Sequence, residues 1–260
     1  MGSPDGRYAR QIALREIGAG GQRRLEAATA LIVGCGGLGS AQAELLARAG
    51  VGALLLVDDD AVAEHNLPRQ LLYGETDARR GVPKALAAKR RLAEINSSTR
   101  VEAHVACLEP SNAVDLLRRA DVVLDATDVL DARFLINDAA VKCGVPWVYG
   151  GVVETHGTAM AIRPGVGPCL RCVLDAPAPG AVQEPEPRGV LNAAVAWVAA
   201  LQVSEALKIL LGAPAEEHRL YSLDVWRGAV TSARVERRPD CPCCGLRRFE
   251  FLDAGGPGAV

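Results

Sequence analysis

Short apolar runs alternate along the first half of the chain with longer stretches of helical composition. The runs are 30–33 (ALIV), 53–57 (ALLLV), 121–126 (DVVLDA) and 146–149 (PWVY), with 101–105 (VEAHV) a less apolar member of the series. Their length and content of branched and aromatic residues predict buried strands. Between them, 40–48, 84–95, 112–119 and 133–142 read as helices, the first closed by Gly50 and Gly52. Strands alternating with helices predict an α/β fold, a Rossmann-like, doubly wound and mostly parallel sheet. Its ligands should gather at the carboxyl ends of the strands.

After Gly151 the texture changes. Residues 158–163, 219–223 and 230–235 read as strands of a C-terminal mixed or antiparallel extension, and 175–188 is a proline-rich stretch expected to be an exposed flexible loop. The segment 190–211 (VLNAAVAWVAALQVSEALKILL) is long enough to span a bilayer. It carries Asn192, Gln202, Glu205 and Lys208, so the expectation is a buried or interface helix. The pattern is that of one domain. A helical arm covers 1–28, a nucleotide-binding half 29–150 and a second half 151–253, and the tail 254–260 is expected to be disordered.

Composition narrows the classes without naming one. The 260 residues are 49% hydrophobic and 23% charged with a net charge of −2, which gives no electrostatic case for nucleic acid or anionic membrane. The stretch from Met1 to Gln11 is polar and charged and has no secretory pattern, so the eight cysteines are expected to be reduced thiols in a cytoplasmic protein.

The candidate chemistry lies in two places. Gly34-Cys35-Gly36-Gly37-Leu38-Gly39 follows the first strand, and Gly34, Gly36 and Gly39 match the pattern that brings phosphate to a helix N-terminus. With Asp58 at the end of the second strand, this alone favours an NAD(P)-dependent oxidoreductase. Asn66, Arg69 and Lys84 then follow, and Asp128 comes after the fourth strand. Two cations could neutralise a leaving pyrophosphate while a carboxylate anchors Mg2+, which suits cleavage of ATP better. The second place is the pair of Cys-x-x-Cys motifs, Cys169/Cys172 and Cys241/Cys244, whose spacing suits a closed, structural tetrathiolate Zn2+. Cys243 sits beside the second pair but breaks its spacing. Cys35, Cys107 and Cys143 are expected to be core residues, and the four histidines show no metal spacing.

With these motifs in hand, the chain resembles the MoeB/ThiF/HesA family, relatives of ubiquitin-activating enzymes that adenylate sulfur-carrier proteins. The matching stretches are RYARQI, VGCGGLGS, GVGALLLVDDD, NLPRQ, PK, ATD, CLRC, LQVSEALKILLG and CPCCG, in order over nearly the whole chain. The resemblance implies a single adenylating domain whose 151–253 half binds the carrier beneath a crossover loop at 175–188. It implies that Gly37 faces the nucleotide, Asp58 holds the ribose, and Asn66, Arg69 and Lys84 contact the phosphates. Asp128 would support Mg2+, and Arg10 would reach the ATP of a second subunit in a homodimer. The substrates implied are ATP and the C-terminal Gly-Gly carboxylate of a ubiquitin-like carrier, and a sulfur donor later displaces AMP. Two departures stand out. Many members carry a cysteine in the crossover loop, whereas here none occurs between Cys172 and Cys241, and Val129 stands where the family often has asparagine. They motivate a rival, a carrier-binding scaffold without catalysis.

Overall fold

The computed structural model describes residues 6–181, 189–215 and 217–254, so the expectations for 182–188 and for 255–260 lie outside the described residues. Five strands form the parallel part of one sheet: β1 (Thr29–Val33), β2 (Ala53–Val57), β3 (Arg100–His104), β4 (Val122–Asp125) and β5 (Trp147–Val153). Three more continue it antiparallel: β6 (His156–Ile162), β7 (Arg219–Asp224) and β8 (Ala229–Arg234). The order is β3-β2-β1-β4-β5-β6-β7-β8, a doubly wound core with an antiparallel extension, as the pattern predicts. The order reverses between β1 and β4, which leaves a crevice at their carboxyl ends.

The helices are α1 (Ala9–Ile12), α2 (Gly18–Ala27), α3 (Gly37–Ala49), α4 (Glu75–Arg80), α5 (Lys84–Ile95), α6 (Pro110–Leu117), α7 (Leu130–Cys143), α8 (Asn192–Leu210) and α9 (Glu250–Asp253). Central strands covered on both faces need continuous apolar runs, and β2 is buried at all five positions. One face packs Ile32, Leu54 and Leu56 against α3, α5 and the end of α8. The other packs Leu31, Leu55 and Val123 against α6, α7 and the C-terminal cysteines.

Helix α8 is long and apolar enough to cross a membrane, yet one face of it lies across β4, β5 and β6. A polar lock fixes it there. Gln42 Nε2 of α3 donates to Gln202 Oε1 at 2.6 Å, and Gln202 Nε2 donates to the Asp125 carbonyl at 2.7 Å, with both glutamines fully buried. A side chain at Gly150 would overlap the Gln202 amide, so the strand approaches the helix only because that residue has none.

Candidate nucleotide site and tetrathiolate centre

The glycine loop turns from β1 into α3 with Gly34 at φ +92°, and a Cβ there would stand 2.6 Å from the Ala126 carbonyl oxygen. A Cβ at Gly39 would overlap the Gly34 carbonyl, so the loop closes only without these side chains. The N-terminal amides of the thirteen-residue α3 then open into the crevice beside β4. Two outer contacts fix the loop. Tyr73 donates its hydroxyl to the Cys35 carbonyl at 2.7 Å, and the Cys35 amide donates to Asp58 Oδ2 at 2.6 Å. Asp58 also accepts the Asp60 amide at 2.9 Å, and burial pushes its carboxyl above the ordinary range against these bonds and the nearby Lys84.

The cations stand along the same rim. Lys84 opens α5, is nearly buried, and donates to Asp60 Oδ2 at 2.6 Å. Asp60 is mostly exposed, so an incoming phosphate can compete with it for the ammonium. Arg69 donates to the His65 carbonyl at 2.8 Å. The buried Asn66 accepts the Ala63 amide at 2.9 Å, which fixes the turn that carries Arg69. Gly37 and Arg69 line one side of a 280 Å³ cavity whose other wall is Asn192, Val195 and Ala196 of α8.

Asp128 is exposed on the turn after β4, free to meet a cation. Sequence reading passes over its neighbour Asp125, which the register places at the buried end of β4, opposite Val33. Burial pushes the Asp125 carboxyl up to about 6 against the opposing pull of Arg133. Arg133, also not singled out from sequence, donates to the Thr127 carbonyl at 2.8 Å.

The four motif cysteines converge, with all their sulfurs within 4.8 Å of one another. Cys169 and Cys241 stand 3.6 Å apart and Cys172 and Cys244 3.5 Å apart, with no disulfide among the described residues. A tetrahedral zinc with bonds of about 2.3 Å places its sulfurs about 3.8 Å apart, so the set fits. Cys243 is buried beside it and accepts from Asn137 Nδ2 of α7 at 3.2 Å. Asn137 Oδ1 accepts the Leu170 amide and Asp138 accepts the Phe251 amide, so α7 carries both knuckles. Two other cysteines correct the sequence expectation. Cys107 is exposed on the loop after β3, donating to Asp59, which with burial pushes its thiol up to about 11. Cys143 is only half-buried at the end of α7, and Cys35 alone of the three is a core residue.

A nucleotide-ready loop, its rim of charge and the paired knuckles now meet a match to the ThiF family model over residues 8–243. The chain belongs to the ThiF family. It is 43% identical over 250 residues to the sulfur carrier protein ThiS adenylyltransferase of Bacillus subtilis, covering 95% of this chain and 74% of that protein. It is 40% identical over 247 residues to the sulfur carrier protein adenylyltransferase of Thermus thermophilus, covering 92% and 90% of the two. Among solved structures, E. coli MccB with ATP superposes with a TM-score of 0.80 at 23% identity over 93% of this chain and 75% of that one, a likeness of fold.

Within this member of the family, Arg10 is exposed on α1. The arm docks at the far end of α3, where Gln11 donates to the Ala49 carbonyl at 2.8 Å and Tyr8 accepts from Asn96 Nδ2 at 2.8 Å. The helix between arm and loop is about 20 Å long, so Arg10 does not join its own chain's glycine loop. Val129 is exposed at the head of α7 and its amide donates to Thr127 Oγ1.

Proposed function

We propose that the protein is an ATP-dependent adenylyltransferase that activates the C-terminal Gly-Gly carboxylate of a ubiquitin-like sulfur-carrier protein. The observation that carries this reading is the convergence at one crevice of the α3 N-terminus, Asp58, Lys84 and the exposed Asp128. The printed activities of its relatives in Bacillus subtilis and Thermus thermophilus support it.

In this reading the α3 amides cradle phosphate and Asp58 accepts a ribose hydroxyl. Lys84 leaves Asp60 for the phosphates, Arg69 joins it, and together they offset the charge of the departing pyrophosphate. Bound magnesium would neutralise phosphate charge, and Asp128 is the carboxylate placed to hold it. The carrier carboxylate attacks the α-phosphate, pyrophosphate leaves, and an acyl-adenylate remains for an external sulfur donor. The stretch from Val173 to Asp240 contains no thiol, so no thioester forms on the crossover loop. The protein works as a cytoplasmic homodimer in which Arg10 serves the second subunit's ATP, consistent with its distance from its own loop. The outward face of α8, with Ala193, Ala196, Trp197 and Ala200 exposed, suits that contact.

The test is carrier-dependent exchange of labelled pyrophosphate into ATP. The wild type should exchange, and Asp128→Ala should fall by roughly two orders of magnitude or more. ATP with magnesium should raise the melting temperature and NAD should not. Stabilisation by NAD alone would favour the oxidoreductase, and carrier binding with no exchange would favour the scaffold.

A further inference from the structure

The turn that presents Asp128 is held from both sides. Asp125 Oδ1 accepts the Thr127 amide at 3.0 Å, and Arg133 Nη2 donates to the Thr127 carbonyl at 2.8 Å. The two side chains face each other across this peptide, with Arg133 Nε 3.4 Å from Asp125 Oδ2. Both facing atoms are buried and have no hydrogen-bond partner among the described residues, so each is the other's nearest compensation. Asp125 is completely buried at the end of β4. Arg133 lies 5.7 Å from the centroid of the Tyr149 ring, which limits where its guanidinium can move. The same turn bears on the nucleotide loop, because the Ala126 carbonyl fills the space that a side chain at Gly34 would need.

We propose that Arg133 and Asp125 are positioning residues that clamp the 126–128 turn and so fix Asp128 against the glycine loop for the adenylation step. The inference rests on the adenylyltransferase reading above. Neither side chain needs to touch the substrates. Each holds one side of the Thr127 peptide, and their mutual charge keeps both in place without a solvent partner. Removing Arg133 frees the Thr127 carbonyl and leaves the Asp125 carboxylate without its counter-charge, so the turn loses one restraint and the group that supplies the other is destabilised. Asp128 would then sample positions away from the reacting phosphate while the glycine loop, Asp58 and Lys84 still bind nucleotide. The signature is a defect in turnover with little defect in ATP binding.

The experiment compares wild type, Arg133→Gln and Arg133→Lys by pyrophosphate exchange with magnesium and ATP varied independently, alongside melting temperatures. Arg133→Gln should lower kcat by about 10²-fold with KM for ATP changed less than about twofold, since a misplacement of about 1 Å suffices for such a loss. The magnesium concentration for half-maximal rate should rise, because Asp128 holds the cation less well. Arg133→Lys keeps the charge beside Asp125 without the forked donor, and it should fall between the two. If Arg133→Gln does not fold, Arg133→Lys alone decides, with the same split between kcat and KM expected. An active wild type with unchanged kcat and magnesium requirement in the variant would overturn the clamp alone. So would a variant whose kcat loss tracks lost melting temperature and lost ATP affinity, which is the mark of a merely structural residue. A wild type that exchanges no pyrophosphate would overturn the functional reading, and the clamp with it.

Discussion

Asp125 and Asp128 show how much of a residue's role depends on where a strand ends. Both belong to LDATD, and their spacing alone does not say which one is buried. The β1–β4 register puts Asp125 inside the sheet, and the turn that follows leaves Asp128 exposed. Arg133 from α7 and Asp128 from the same turn are the charged groups acting on Asp125. Its carboxyl is held at about 6, above the ordinary 3.8, so between those values the folded protein binds a proton more tightly than the unfolded chain. Stability from this group therefore falls as pH rises through about 4 to 6. The ionised form at neutral pH costs about 3 kcal/mol, from a little over two pKa units at 1.36 kcal/mol each. The charge opposite Arg133 is thus present only above about pH 6, and exchange activity should drop as pH falls through that value. Asp125→Asn should lose that acid limb and run slowly at every pH, which a pH profile of kcat would show. An unchanged limb in the variant would assign the titration to another group.

At the scale of elements, short apolar runs were legible because burial on both faces removes polar alternation, so β1, β2 and β4 fall within one or two residues of expectation. Helix α3 was legible from its glycines at both ends, and α8 from its long, mostly apolar run. The six-residue α4 and four-residue α9 carry too few turns to show a period, and tertiary packing decides them. The polar residues of α8 were read from sequence only as an argument against a membrane. The fold gives one of them a structural use, because Gln202 ties α8 to α3, β4 and β5 through Gln42 and the carbonyls of Asp125 and Val148. Gln202→Leu should strip Gln42 of its 2.6 Å partner in a dry interior, leaving it only the 3.3 Å bond to the Asp125 carbonyl, with a loss of about 2 kcal/mol or more in urea unfolding. A loss below about 0.5 kcal/mol would mean that the lock adds little beyond packing.

For the whole molecule, the two cysteine knuckles join what the chain order separates. Cys169/Cys172 follow the sheet's fifth and sixth strands, Cys241/Cys244 come after its last, and both settle on α7 through Asn137, Asp138 and Arg171. The Cys-x-x-Cys spacings made this centre the most legible part of the candidate site, because a tetrathiolate has few alternative pairings. The anchoring on α7 was not legible, since Asn137 and Asp138 sit in an ordinary helical pattern. Without metal, a hydrogen bond to Cys169 and burial hold the proton on Cys172 up to about 12, and burial first of all holds that on Cys244 up to about 11. Binding zinc must displace those protons, so affinity falls as pH falls, and acid should release the metal before it unfolds the sheet. The purified protein should hold about one zinc per chain. Cys172→Ser should lower that content and the melting temperature, because the cluster that joins Cys241/Cys244 to Cys169/Cys172 loses one of its four thiols. The glycine loop, Asp58 and Lys84 contribute no thiol to the cysteine cluster, so ATP affinity measured on the surviving folded fraction should stay within about twofold of wild type. Metal analysis, thermal unfolding and nucleotide titration of this one variant separate the two sites, and a large parallel loss of ATP affinity would show that they are coupled through α7.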